Sequence, residues 1–243
     1  MHARYTAALL VTVLTSIANA QIPETFENLQ VFPRGVPRPE LVQRMREFSF
    51  ALGVRCEHCH TEAVEGVANR YASDARPAKV QARAMLRMVA AINGTLLTQL
   101  PSHAAPAVQV DCVTCHRGLP LPKTLQTTLF EVATASGGAA AAARYRELRK
   151  TGLGTGRYNF GEWETNELAR RLAEAGHADA AITMLETNAE FHPRSPDIDV
   201  MLGELHLKSG EKDKALARYR AALKKAPDHP RALLRLQELE GRQ

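Results

Sequence analysis

Two short stretches, "CEHCH" (Cys56–His60) and "CVTCH" (Cys112–His116), hold all four cysteines of a 243-residue chain. Each places two thiols three positions apart with an imidazole directly behind. Disulfides within such pairs are awkwardly spaced, and zinc ribbons do not require a histidine directly after the second cysteine. CxxCH is instead the attachment signature of c-type haem. The two thiols add to the two vinyl groups of one porphyrin, and the following imidazole becomes the proximal ligand of the iron. Two covalently attached haem c groups are therefore expected. One is bonded to Cys56 and Cys59 with His60 on its iron, the other to Cys112 and Cys115 with His116.

A haem iron with protein ligands on both faces mainly carries electrons, whereas an open face can bind oxygen, carbon monoxide or peroxide. The second ligand must come from an element close to each motif. Before the first lies "RPELVQRMREFSFALGVR", where Pro39 suits a first helical turn. Leu41, Val42, Met45, Phe48 and Leu52 form one apolar stripe there, and Gly53 ends the helix. Met45 is then either an iron ligand or a core residue. The second unit, "RPAKVQARAMLRMVAAINGTLL", opens at Pro77 and sets Met85, Met88, Val89 and Ile92 on one face. Asn93-Gly94 is read as its break. Met85 and Met88 are both candidates for the second iron, and spacing does not choose between them.

The order "LVQRMREFSFALGVRCEHCH", "ARAMLRM", "AIN", "VDCVTCHRGLPLP" resembles the cytochrome c subunit family of photosynthetic reaction centres. In that family four haems form two similar dihaem halves, and this chain matches one half over roughly residues 27–123. The family commonly draws its sixth ligand from a methionine on the helix preceding CxxCH. The resemblance thus implies Met45 for the first haem and Met85 for the second, with Met88 in reserve. The chain departs from the family in lacking two haems and any stretch like the photosynthetic docking surface. The segment "TQLPSHAAPAVQVD" is longer than its counterpart, which leaves His103 as a surface residue or a substitute ligand. A photosynthetic role does not follow from the resemblance. His58 is read as a solvent-side residue of its turn.

From Gly154 onward the pattern changes. Gly176 and Gly210, Ala181 and Ala215, and Pro193 and Pro227 all recur at one interval (210 − 176 = 34), which is the tetratricopeptide period. "NELARRLAEAGHADAAITMLETNAEFHP" is one helical hairpin, "VMLGELHLKSGEKDKALARYRAALKKAP" the next, and "PRALLRLQELEGR" a capping helix. Two repeats bury little surface alone, so "AAAAARYRELRK" and the aromatics Tyr158, Phe160 and Trp163 are expected to extend the core. His177, His192, His206 and His229 are read as surface or packing residues. Gly137-Gly138 and "LPLPK" mark a linker region.

The first twenty residues have the form of an export signal: Arg4, an apolar run too short to span a bilayer, and "ANA" with cleavage after Ala20. A periplasmic or secreted location is expected, with no stable membrane insertion. Formal charge is +5, or 5 − 1 = +4 without Arg4. The propionates of two haems add about −4, and no basic cluster points to nucleic acid.

The expected architecture is all-α, a dihaem c-type cytochrome domain followed by a short tetratricopeptide repeat domain. Residues 1–20 form the signal peptide, 21–125 the cytochrome domain, 126–160 a linker with packing helices, and 161–243 the repeats with their cap. The expected function is single-electron carriage between redox partner proteins, with a polypeptide docked on the repeats. The competing reading is a dihaem peroxidase or gas sensor with one open iron, but no motif places a distal acid or arginine for one.

Overall fold

Proline and glycine punctuation sets most of the helix ends. The computed structural model describes residues 22–61, 70–100 and 108–241, and every regular element among them is helical. The export segment, its cleavage point after Ala20, and His103 lie outside the described residues. The described chain divides into two compact units, residues 22–49 with 55–110, and residues 50–54 with 111–241.

In the first unit, α1 (Arg38–Leu52) starts at the expected proline and carries Glu40 in its first turn, where the helix dipole favours an acid. Gly53, at φ +67°, ends it. A 3₁₀ turn follows over Cys56–His58. α2 (Pro77–Ala91) has proline at its start. Asn93-Gly94 does not break the path as expected: the backbone continues through a π-helical turn, Ile92–Leu96, and a 3₁₀ turn, Leu97–Gln99. The Asn93 amide instead fastens this end to Val110, donating to its carbonyl at 2.7 Å and accepting from its N–H at 2.9 Å. Only two side chains of this unit's described residues are buried, Leu41 and the polar Arg83. The apolar face expected of α2 is also not packed: Met85 and Met88 are both 47% exposed.

The second unit has a conventional core. It contains the short α3 (Cys112–His116), then α4 (Leu125–Gly152), capped by the Thr124 side chain. The Gly137-Gly138 pair lies inside α4, where Gly137 (φ +84°) kinks the helix. Gly138 packs so closely on α6 (Ala178–Phe191) that a Cβ would meet the Ala180 backbone at 2.8 Å. α5 (Glu162–Glu174) pairs with α6, α7 (Pro196–Lys208) with α8 (Lys212–Lys225), and α9 (Pro230–Glu240) caps the array.

Each hairpin turns through its glycine, Gly176 at φ +84° and Gly210 at φ +78°. Backbone bonds from His177 to Leu172 and from Glu211 to His206 close the same Schellman motif one repeat apart. Ala181 and Ala215 are fully buried where helices cross, and Gly203 gives its space to the Tyr219 ring. α4 joins this core through Leu129, Ala141 and Tyr145, supplying the extra surface that two repeats need. Phe160 is buried with Tyr158 against it, as expected, but Trp163 is 67% exposed and packs on nothing in that core. His206 is buried against Glu211 at 2.7 Å, and His229 bonds Asp197 while accepting from the N–H of Ala232 at the start of α9.

Candidate functional site

Both CxxCH motifs are wound into one helical turn, which brings thiols three apart onto one side. At the first motif, the His60 N–H donates to the Cys56 carbonyl at 2.9 Å. Cys56 is exposed and Cys59 half-buried; burial, with Cys56 beside it, pushes the Cys59 thiol pKa up. At the second motif, Asp111 caps α3 by accepting from the Thr114 N–H at 3.0 Å, and Thr114 reciprocates on the Asp111 N–H. Cys112 is half-buried and Cys115 exposed, and none of the four cysteines forms a disulfide. His58 is exposed, as expected.

The two imidazoles are held differently. His116 places Nδ1 2.8 Å from the Leu119 carbonyl. A carbonyl only accepts, so Nδ1 carries the proton and Nε2 keeps its lone pair for a metal, the usual way a metal-binding histidine is oriented. His60 is set edge-on to Tyr71, ring centroids 5.2 Å apart. Its Nδ1 is shielded from solvent without a well-formed hydrogen bond. Burial lowers the His60 pKa, the Lys79 and Arg70 charges add to this, and only the nearby Tyr71 carbonyl opposes them. Burial and these charges bias the His60 ring towards the neutral, metal-binding form.

Tyr71 itself is clamped. The Arg70 guanidinium lies 4.6 Å over its ring and bonds its hydroxyl at 2.6 Å, and Lys79 donates to its carbonyl at 2.7 Å. Lys79 and Arg83 both reach Asp74, at 3.3 and 2.8 Å, and Arg83 also donates to the Asn28 carbonyl at 3.0 Å. Asn28, in the left-handed region at φ +59°, returns its amide to Ala72 and Asp74. Arg83, then Asn28 and Lys79, hold the Asp74 carboxyl well below the usual carboxylate range. The sequence reading missed this network: the arginine sits inside an apolar-looking helix, and its backbone partner is 55 residues away.

The second motif is also tied to the end of α1. The Gly118 N–H donates to the Ala51 carbonyl at 2.8 Å, and a Cβ on Gly53 would collide with the Gly118 carbonyl. The glycine of "CHRG" and the glycine ending α1 therefore serve one close backbone approach. Gly118 in turn has φ +81°, and a Cβ there would meet the Arg157 guanidinium at 2.9 Å. Arg157 was not singled out in the sequence, since it lies in a polar turn beyond the motifs.

The donor set suits haem c: two thiols and an imidazole per motif. Met45 is half-buried on α1, and Met85 and Met88 are equally exposed on α2. Val80 and Val108, also exposed, add apolar surface of the kind a porphyrin ring covers. Among the described residues no three His, Cys, Asp or Glu side chains gather as a metal cluster, and no helix is long and apolar enough to cross a membrane. A cavity of about 460 Å³ lies at the α6–α7 junction, lined by Glu162 and Phe191 to Ser195, and includes no residue of either motif.

Comparison with known proteins divides the chain between residues 159 and 172. The family described as "Photosynthetic reaction centre cytochrome C subunit" matches residues 23–159, and "Tetratricopeptide repeat" matches 172–239. A cytochrome c-554 of Chloroflexus aurantiacus is 38% identical over 101 residues, covering 41% of this chain and 22% of that protein. A photosynthetic reaction center cytochrome c subunit of Rubrivivax gelatinosus is 41% identical over 73 residues, 30% of this chain and 17% of that protein. The chain thus spans less than a quarter of the length of either relative.

Proposed function

Because the chain belongs to the family of photosynthetic reaction centre cytochrome c subunits, a family of electron-transfer cytochromes, we propose that it is an exported dihaem carrier of single electrons between redox partner proteins. The observation that carries this reading is the pair of CxxCH turns, with the His116 imidazole oriented by the Leu119 carbonyl. Cys56 and Cys59 hold the first haem and Cys112 and Cys115 the second, with His60 and His116 as proximal ligands. Met45 and Met85 would supply the second protein ligand of each haem. When bound, each haem iron supplies one-electron chemistry, and a thioether ligand favours its ferrous state.

The chain's own residues hold the imidazoles in place. Leu119 fixes the ring orientation of His116, and Tyr71 buttresses His60. No enzymatic turnover is assigned. The repeats dock a partner polypeptide, the ordinary use of this architecture. They offer α5 and α7, where a cleft is lined by Arg170, Glu174, Met201, Glu204 and Lys208. The leading twenty residues direct export and are removed after Ala20.

The test is the absorption spectrum of the reduced, haem-loaded protein before and after carbon monoxide. An unchanged spectrum is expected, since both irons carry two protein ligands. A shift in about half of the haem would replace electron carriage by the peroxidase or sensor reading. In Met45→Ala one haem should become reactive to carbon monoxide, and Met85→Ala compared with Met88→Ala identifies the second ligand.

A further inference from the structure

The turn between α4 and α5 carries a charge that nothing in the repeat core uses. Arg157 lies at its end, and its guanidinium fills the space a side chain on Gly118 would occupy, with Nη2 at 2.9 Å and Nε at 3.4 Å from that Cβ position. Gly118 stands between His116 and Leu119, whose carbonyl holds the imidazole. Arg157 Nε is out of solvent and has no hydrogen-bond partner, and among the described residues no carboxylate forms an ion pair with this guanidinium. Lys79 and Arg83 of the first unit differ, since both share Asp74.

The turn is held at both ends. The Arg157 N–H donates to Thr155 Oγ1 at 3.3 Å, and that hydroxyl donates to the Gly152 carbonyl at 2.7 Å. Three residues on, Phe160 is buried in the core and packs within 3.6 Å of the Cβ position of Gly152. Arg157 is half-buried with its Nε out of solvent, and such partial desolvation strengthens a charge's field on neighbouring groups.

We propose that Arg157 sets the reduction potential of the second haem by holding a positive charge, unpaired with any described carboxylate of the chain, against the loop between His116 and Leu119. This rests on the reading of His116 as an iron ligand. Ferric haem carries one more positive charge than ferrous, so the cation disfavours the ferric state and raises the potential. The same turn ends at Phe160 in the repeat core, which holds Arg157 in place.

The experiment is a potentiometric titration of the haem-loaded full chain with dithionite and ferricyanide, for the wild type, Arg157→Gln, Arg157→Met and Arg157→Lys. Haem content and the carbon monoxide response are measured first on each. Fewer than two haems per wild-type chain would remove the functional reading itself, before Arg157 is tested. With two haems present, both neutral variants should lower one midpoint, shifting the ferrous-to-ferric ratio of that haem about tenfold, or 59 mV for one electron. The other midpoint should stay fixed, and Arg157→Lys should retain most of the wild-type value. Two unmoved midpoints in either neutral variant would overturn the proposal. So would a melting temperature that falls equally in all three variants while both potentials hold, because that is a purely structural role.

Discussion

The two units stabilise themselves by opposite means. From α4 to α9, alanine, leucine and tyrosine side chains interlock at near-zero exposure around a few buried polar groups such as Asn188 and Asp199. In the first unit Leu41 and Arg83 alone are buried among the described residues, while Val80, Met85 and Met88 face outward. Order there comes from hydrogen bonds: Asn28, Asp74, Lys79 and Arg83 knit segments that share almost no apolar contact. A repeat array closes its own core from local hairpins. A protein that covers a large prosthetic group instead directs its apolar side chains at that group and lets polar links fix the chain around it.

The contrast can be broken most severely by removing the attachment points. Replacing all four cysteines with serine should strip amide protection from α1 and α2, by on the order of a few kcal/mol of local opening free energy, and leave α5 to α8 protected. Hydrogen exchange read by mass spectrometry decides it; equal protection of α1 and α2 in both proteins would mean that the first unit needs no attached group.

The converse change sits in the repeats. Leu202→Ala empties a fully buried position and should cost about 2–5 kcal/mol in chemical denaturation. Neither haem midpoint should move, and a midpoint that does move would mean the two regions are energetically coupled at this site.

The smallest effect sharpens the account of the polar network. Asp74→Asn should lower the melting temperature by a few degrees near neutral pH. The folded carboxyl titrates below its unfolded value, so its stabilisation is complete above roughly pH 4 and disappears as the pH falls towards the folded pKa. Wild type and variant should therefore converge in acid. A gap that persists at low pH would assign the effect to shape, not charge.

What the sequence made legible follows the reach of each interaction. The repeats were readable because their determinants are local: a turn glycine, a crossing alanine and a proline, each returning at the same interval. α1 was readable from proline, apolar stripe and glycine. α2 is read only for its methionines, and the buried Arg83 gives no signal within that apolar pattern. Asn93-Gly94 misled because the Asn93 side chain is spent on Val110, and the helix continues through a wider turn. The supports of the histidines were hidden for a further reason. Leu119 acts through its carbonyl, which side-chain identity does not reveal, and Arg157 reaches Gly118 from beyond the whole of α4.

The bond from Gly118 to Ala51 gives the chain an order of assembly. It closes the long loop between those two positions, an entropic cost of about 4 kcal/mol that no local contact offsets. During synthesis the end of α1 is made long before its partner, so this bond forms only after the second CxxCH has followed it. Until then the last turn of α1 and Gly53 lack the backbone partner they have in the folded chain.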